Sequence, residues 1–115
     1  MLRAVFHRKS LDLGGQLFEP FFGFEISGHA GYGEAINENE GNDIVCAAIS
    51  SCAMVVCNAA TEQFSADAEV KVEENRISLE LNDYNSPAVR LIAALYEHLT
   101  AIAEDHDKIK VEIVE

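Results

Sequence analysis

The sequence predicts a two-layer α+β domain in which a largely antiparallel sheet packs against two helices. Three observations predict this class: short segments alternate apolar and polar residues, two longer segments have helical character, and the elements follow the order ββαββαβ. Since no internal repeat or linker interrupts this order, we expect a single domain over residues 1–115.

Two strands open the predicted fold. "LRAVFHRK" has strand character and is followed by a turn around Gly14 and Gly15. In "FFGFEIS", Phe22, Phe24 and Ile26 alternate with small or polar residues, which predicts the second strand.

A long apolar segment, "DIVCAAISSCAMVVCNAA", predicts the first helix. It is apolar almost all round, so we expect it to be buried on every side. Asp43 is a suitable N-cap, which would place Cys46 in the first turn of this helix.

The second half of the chain predicts a hairpin, a helix and a final strand. "AEVKVEENRISLELN" contains two alternating runs around the turn "ENR". Pro87 is expected to open the second helix, and "DKIKVEIVE" forms the last strand. Apolar residues recur at helical spacing on one face of that helix: Ala88, Ile92, Leu95, Leu99 and Ile102.

Composition narrows the function. The net charge is −12, with 8 Lys and Arg against 20 Asp and Glu, so direct nucleic-acid binding is disfavoured. An acidic surface suits a basic partner, and taken alone the charge is equally explained by its effect on solubility. We expect no membrane span, since no stretch approaches about 20 uninterrupted apolar residues. "MLRAVFHRKS" is too short and polar for a signal peptide, and three cysteines without a CxxC pair suggest a reduced, cytoplasmic protein.

Cys46 and His29 are the candidate reactive residues. A cysteine near a helix N-terminus can have a lowered pKa, and a neighbouring imidazole would complete a nucleophile and base pair. The strand-to-helix crossing can bring His29 near Cys46, and helical spacing places Asp43, Cys46 and Ser50 on one face.

The other cysteines and histidines are weaker candidates. Cys52 lies on another face of the helix and Cys57 lies deep in its apolar half, so we interpret both as inert core residues. No HxH or HExxH spacing joins the histidines, so we predict no metal or other cofactor. The remaining histidines are His7 in a strand, His98 on the second helix and His106 near its end.

The long segment between the second strand and the first helix is expected to be a functional loop. "GHAGYG" has glycines in the manner of a phosphate loop, but the charges that follow it are acidic, so we reject phosphate binding. The glycines instead suit a mobile lid with hinges at Gly31, Gly33 and Gly41.

Two motifs carry a resemblance to a known family. "SGHAGYGE" followed by "GNDIVCAAIS" resembles the signature of the ribosomal-processing cysteine protease (Prp, or YsxB-like) family. The resemblance implies that His29 is the catalytic base and Cys46 the nucleophile. It also matches Gly28, Asp43 and Ser50 to positions that line or support the site.

The resemblance further implies a cytoplasmic homodimer that removes a short N-terminal extension from a large-subunit ribosomal protein. The implied cut follows a pair of phenylalanines and precedes a small residue, and the basic substrate suits an acidic enzyme. Asp43 could orient the site or only cap the helix. The chain departs from the family pattern at "INENE", which lengthens the loop and puts the fit to that substrate in question.

Two other functions stay open on the sequence. "CAAISSC" could hold the peroxidatic and resolving cysteines of a thiol-dependent peroxidase, although no arginine lies near Cys46 in sequence and Cys52 faces elsewhere. Alternatively, the chain could be an acidic module that binds basic ribosomal proteins without cutting them.

Overall fold

A five-stranded sheet carries the fold in the computed structural model, which describes residues 2–28, 40–84 and 86–115. Across the sheet, the strands over residues 68–73, 76–81, 21–27, 2–8 and 109–114 follow one another in that order. Within the described residues all neighbouring pairs are antiparallel except the last pair, 2–8 with 109–114. The largely antiparallel α+β sheet is therefore confirmed. Its strands are β1 (Leu2–Arg8), β4 (Phe21–Ser27), β5 (Ala68–Glu73), β6 (Arg76–Leu81) and β7 (Ile109–Val114).

Alternation along the strands places the core on one face of this sheet. Leu2, Ala4 and Phe6 are buried in β1, and Phe24 and Ile26 are buried in β4. Successive strand residues point to opposite faces, so the intervening side chains form the outer face, which is largely polar. Two helices cover the inner face.

A small hairpin between β1 and β4 was not predicted as strands. It consists of β2 (Leu11–Leu13) and β3 (Gln16–Phe18), which pair with each other in a separate sheet. The turn at Gly14 and Gly15 was predicted, and both glycines have positive φ values, 66° and 88°, which suits a two-residue hairpin turn. The flanking runs are too short to give a clear alternation.

The first helix, α1 (Glu40–Asn58), is buried on one side only. Ile49, Ala53 and Cys57 are buried where the helix packs on β6 and on the second helix, while Ile44 and Val55 are 67% and 63% exposed. The expectation of burial on every side was therefore wrong. By length and composition the segment Ile44–Gln63 could cross a membrane, yet its inner side packs as a core helix.

The start of α1 also differs from the prediction. The helix begins at Glu40, so Asp43 lies within it and is not its N-cap. Gly41 belongs to the helix as well and is not a loop hinge.

The second helix, α2 (Val89–Glu104), packs on β4, β7 and α1. It begins two residues after Pro87, which lies in the preceding turn, where the Ser86 Oγ accepts a hydrogen bond from the Ala88 N–H at 3.1 Å. The predicted apolar face is confirmed, with only its last member half-buried rather than buried: Ala88, Ile92, Leu95, Leu99 and Ile102.

Candidate active site

Cys46 lies in the N-terminal half of α1 and is half-buried. Its side chain packs against the edge of the hydrophobic core, while part of it remains accessible to solvent. A nucleophilic thiol needs this combination, because the walls of the site must hold it in place and the substrate carbonyl must still reach the sulfur.

Ser50 lies one turn after Cys46 on the same side of α1 and is also half-buried. The helix is continuous from Glu40 to Asn58, so positions 43, 46 and 50 follow one another along one side. The backbone of Asp43 shares this side, but the role predicted for its side chain lies outside what the structure describes.

The early start of α1 changes the expected activation of the thiol. Cys46 lies in the second turn, whereas the N–H groups left without intrahelical acceptors are those of the first four residues, 40–43. The favourable effect of the helix dipole on an anion falls off within the first turn. The helix dipole therefore contributes less to the activation of Cys46 than the sequence predicted, and a neighbouring base is needed to take the thiol proton.

Gly28 follows the last residue of β4 and has a φ of 86°. This left-handed conformation is easily adopted by glycine and strained for other residues, so Gly28 sets the direction in which the chain leaves the sheet. The predicted base, His29, comes next. His29 and the rest of the expected lid up to residue 39, with Gly31 and Gly33, lie outside the described residues.

The topology brings the start of α1 toward the end of β4. Beyond α1, a π-helical turn over Ala59–Gln63 leads to β5, whose first residue Ala68 pairs with Leu81 at the far end of β6. Because α1 packs on β6, it runs back along that strand toward Arg76, which pairs with Ser27. Gly28 and the half of α1 that holds Cys46 thus share one end of the domain.

The other two cysteines differ from Cys46 in their surroundings. Cys57 is 1% exposed, and burial raises the pKa of its thiol to about 11, so it is inert, as predicted. Cys52 is half-buried against the core. It lies about 240° around the helix from Cys46 at ~100° per residue, and none of the three cysteines is joined in a disulfide.

The described histidines lie away from this arrangement in the fold. His7 is on the outer face of the sheet, with its ring centroid 5.8 Å from that of Phe22. His98 is exposed on α2, and His106 follows the end of that helix. Among the residues that the structure describes, no three His, Cys, Asp or Glu side chains are grouped in a way that could hold a metal ion.

The α+β domain holds a half-exposed thiol on the helix after its second long strand, and this arrangement is compatible with a thiol-dependent enzyme. The match to a family model identifies the kind of thiol-dependent enzyme. The model of the cysteine protease Prp family matches residues 16–111, and the chain belongs to that family of cysteine proteases. This membership favours the protease over the peroxidase and the non-catalytic module considered from the sequence.

Solved structures show the same fold. SMU.848 from Streptococcus mutans is 24% identical, with a TM-score of 0.74 over 99% of this chain and 97% of that one. The S. aureus ribosomal processing protease Prp in complex with a substrate peptide is 19% identical, with a TM-score of 0.74 over 99% of this chain and 100% of that one. A further structure of the S. aureus protease holds a covalently linked product peptide, at 18% identity and a TM-score of 0.71 over 99% of this chain and 100% of that one. No curated protein sequence matches the chain.

Proposed function

We propose that this protein is a cytoplasmic, homodimeric endopeptidase that removes the N-terminal extension of a large-subunit ribosomal protein. The proposed cut follows Phe-Phe and precedes a small residue. The observation that carries the proposal is the family match over residues 16–111, which includes both motifs around the loop. The net charge of −12 supports a basic substrate of this kind.

Cys46 is the proposed nucleophile and His29 the proposed general base and acid. His29 takes the thiol proton, and the sulfur of Cys46 attacks the carbonyl carbon of the scissile peptide. The carbon–nitrogen bond then breaks while the imidazolium of His29 gives its proton to the leaving amine. A water molecule, deprotonated by His29, hydrolyses the thioester and releases the thiol.

The remaining predicted residues support this pair in the proposal. Gly28 directs the backbone that enters His29, and Ser50 lines the side of α1 on which Cys46 lies. Asp43 lies one turn before Cys46 on the same side of the helix, where an orienting role fits better than the capping role. Backbone N–H groups near the start of α1 are the proposed donors to the oxyanion.

The test is incubation with a ribosomal protein that carries a Phe-Phe–small extension, followed by mass spectrometry of the products. We expect the wild type to release one extension peptide and Cys46→Ala to release none. Cys52→Ala is the matched control, since it removes the other half-buried thiol of the same helix, and it should cleave as the wild type does. A folded wild type that leaves the extension uncut contradicts the proposed substrate.

A further inference from the structure

The first residues of β4 repeat the cleavage sequence that the proposed function assigns to the substrate. Phe21 and Phe22 are followed by Gly23, which makes a pair of phenylalanines before a small residue. No other two phenylalanines are adjacent anywhere in the chain. The protein therefore contains one copy of its own proposed cleavage sequence, and this copy lies in a strand of the main sheet.

Both phenyl rings of this sequence are packed in the folded protein, on opposite faces of the sheet. On the inner face, Phe21 stacks on Tyr96 of α2 with a distance of 4.9 Å between the ring centroids. On the outer face, the ring of Phe22 lies 5.0 Å from that of Tyr84 and 5.8 Å from that of His7. A protease that recognises two phenylalanines must hold their rings in its own pockets, so both rings have to leave these neighbours first.

The backbone next to the bond between residues 22 and 23 is enclosed by strands on both sides. Gly23 is buried and lies opposite His7 of β1 and Glu80 of β6. The approach of β6 is so close that a Cβ at Gly23 would lie 2.8 Å from the backbone oxygen of Leu79. An extended peptide is bound through its free main-chain groups, so cleavage at this bond requires that β4 first leaves the sheet.

A cut at this bond would prevent the chain from folding again. It would separate residues 1–22 from residues 23–115, and the shorter piece contains β1. This strand lies between β4 and β7 in the sheet, so its loss removes the partner of both. Three fully buried side chains leave the core with it, those of Leu2, Ala4 and Phe6. The bond is thus hidden in the folded state, and its cleavage in the unfolded state is irreversible for the fold.

We propose that folded copies of this protein cleave unfolded copies of the same chain between Phe22 and Gly23. The inference rests on the proposed function, because it applies the Phe-Phe specificity proposed there to the chain itself. The sulfur of Cys46 in the folded copy bonds to the carbonyl carbon of Phe22 in the unfolded copy. The bond from that carbon to the Gly23 nitrogen breaks, and the new amine takes its proton from His29 of the folded copy. One water molecule then hydrolyses the thioester, which leaves a carboxyl group on Phe22 and returns the thiol.

The experiment incubates the wild type with two inactive full-length substrates, Cys46→Ala and Cys46→Ala/Leu79→Ala. Leu79 is 1% exposed, and the cavity left by its truncation should raise the unfolded fraction by about 30-fold or more. When refolding is faster than cleavage, the rate follows the unfolded fraction, so the second substrate should be cut at least about 30-fold faster than the first. Mass spectrometry should detect residues 1–22 and 23–115 as the two products, and the substitutions distinguish the longer piece from that of the wild type.

Two further substrates test recognition of the phenylalanine pair. Phe22→Ala, added to the doubly substituted chain, removes a ring that packs in the folded protein and so can only unfold the chain further. Loss of cleavage in this substrate therefore reports lost recognition. Phe64→Ala is the matched control, because it removes an isolated phenylalanine that is 45% exposed, and cleavage after Phe22 should continue. Cys46→Ala, used in place of the wild type as the enzyme, should produce no fragments.

A ribosomal extension peptide in the same mixture separates this inference from the proposed function. If the peptide is cut and the unfolded chain is not, the inference alone is wrong. If neither is cut, the proposed function is wrong and the inference with it. Fragments that end at a residue other than Phe22, or equal rates for the two inactive substrates, would also overturn the inference.

Discussion

Cys46 and Cys57 lie on the same helix, three turns apart, and their thiols have opposite environments. Eleven residues separate them, about 16 Å along the axis, so both face the same general direction. Cys46 reaches the edge of the core and is half-buried, whereas Cys57 is 1% exposed. The helix thus holds one thiol that a substrate can approach and one that solvent does not reach.

Iodoacetamide should therefore alkylate Cys46 in the native protein and leave Cys57 unmodified. The pKa of Cys57 is about 11, so at pH 8 on the order of one molecule in a thousand carries the thiolate there. Peptide mapping by mass spectrometry measures the modification at each site, and loss of cleavage should follow modification of Cys46. In denaturant all three cysteines should react. Equal rates at Cys46 and Cys57 in the native protein would contradict the assignment.

Alkaline pH should destabilise the fold through Cys57. Burial raises the pKa of this thiol from about 9 in the unfolded chain to about 11 in the folded one, so the folded state binds more protons between these values. The contribution of the protonated Cys57 thiol to stability is fully present below pH 9. It is lost as pH rises toward 11, which lowers the free energy of unfolding by roughly 2 to 3 kcal/mol. The free energy of unfolding of wild type and Cys57→Ala, measured from pH 8 to 11, should converge, whereas parallel curves would contradict the linkage.

The five strands of the main sheet and the inner face of α2 could be predicted, because the spacing of apolar residues along the sequence indicates which side of an element is buried. Leu2, Ala4 and Phe6 alternate with outward residues, and the face from Ala88 to Leu99 keeps helical spacing. The outer side of α1 could not be predicted in this way, since an apolar sequence does not reveal which side lacks a covering element. The β2–β3 hairpin was missed because three residues per strand give too little alternation.

Local sequence patterns predicted only part of the candidate site. Helical spacing alone placed Cys46 and Ser50 on one side of α1. Pairing Cys46 with His29 needed the two-part motif, because a loop between a strand and a helix has no periodicity from which its path could be worked out. The first turn of α1 was misplaced for a similar reason, since Glu40 and Gly41 read equally well as loop residues.

Ser50→Ala should lower kcat/KM about tenfold, which corresponds to the loss of one hydrogen bond of about 1.4 kcal/mol in the site. Ser51→Ala is the matched control. It removes the same hydroxyl from the neighbouring residue, which is exposed and lies about 100° around the helix from Ser50, and should leave cleavage unchanged. Steady-state kinetics on the extension peptide separate the two, and equal losses in both variants would contradict the placement of Ser50.

Gly28→Ala should reduce cleavage more strongly than its loss of stability explains. An alanine at a φ of 86° is strained by about 1 to 2 kcal/mol, and the chain can relieve this strain by redirecting the residue that follows, His29. Gly14→Ala provides the control, because Gly14 also has a positive φ, 66°, and no other atom would lie within 4 Å of the added Cβ.

The two glycine variants should lose similar stability in thermal unfolding, yet only Gly28→Ala should lose activity. The midpoint temperature and kcat/KM, measured on the same preparations, make this comparison. Comparable activity in both variants would show that Gly28 does not position the base.

Gly23→Ala should destabilise the sheet without acting on the site. A Cβ at Gly23 would lie 2.8 Å from the backbone oxygen of Leu79 on β6, and a backbone atom can move away only if β4 and β6 separate. Overpacking of this kind costs about 1 to 3 kcal/mol, which should lower Tm by roughly 4 to 12 °C in a domain of this size.

Ser78→Ala, one residue before Leu79 on the same strand but with its half-buried side chain on the outer face, should shift Tm by no more than about 2 °C. At 20 °C the folded fraction of Gly23→Ala should cleave at the wild-type rate, since Gly23 lies four residues from the end of β4 that leads to the site. An unchanged Tm would contradict the close approach of the two strands.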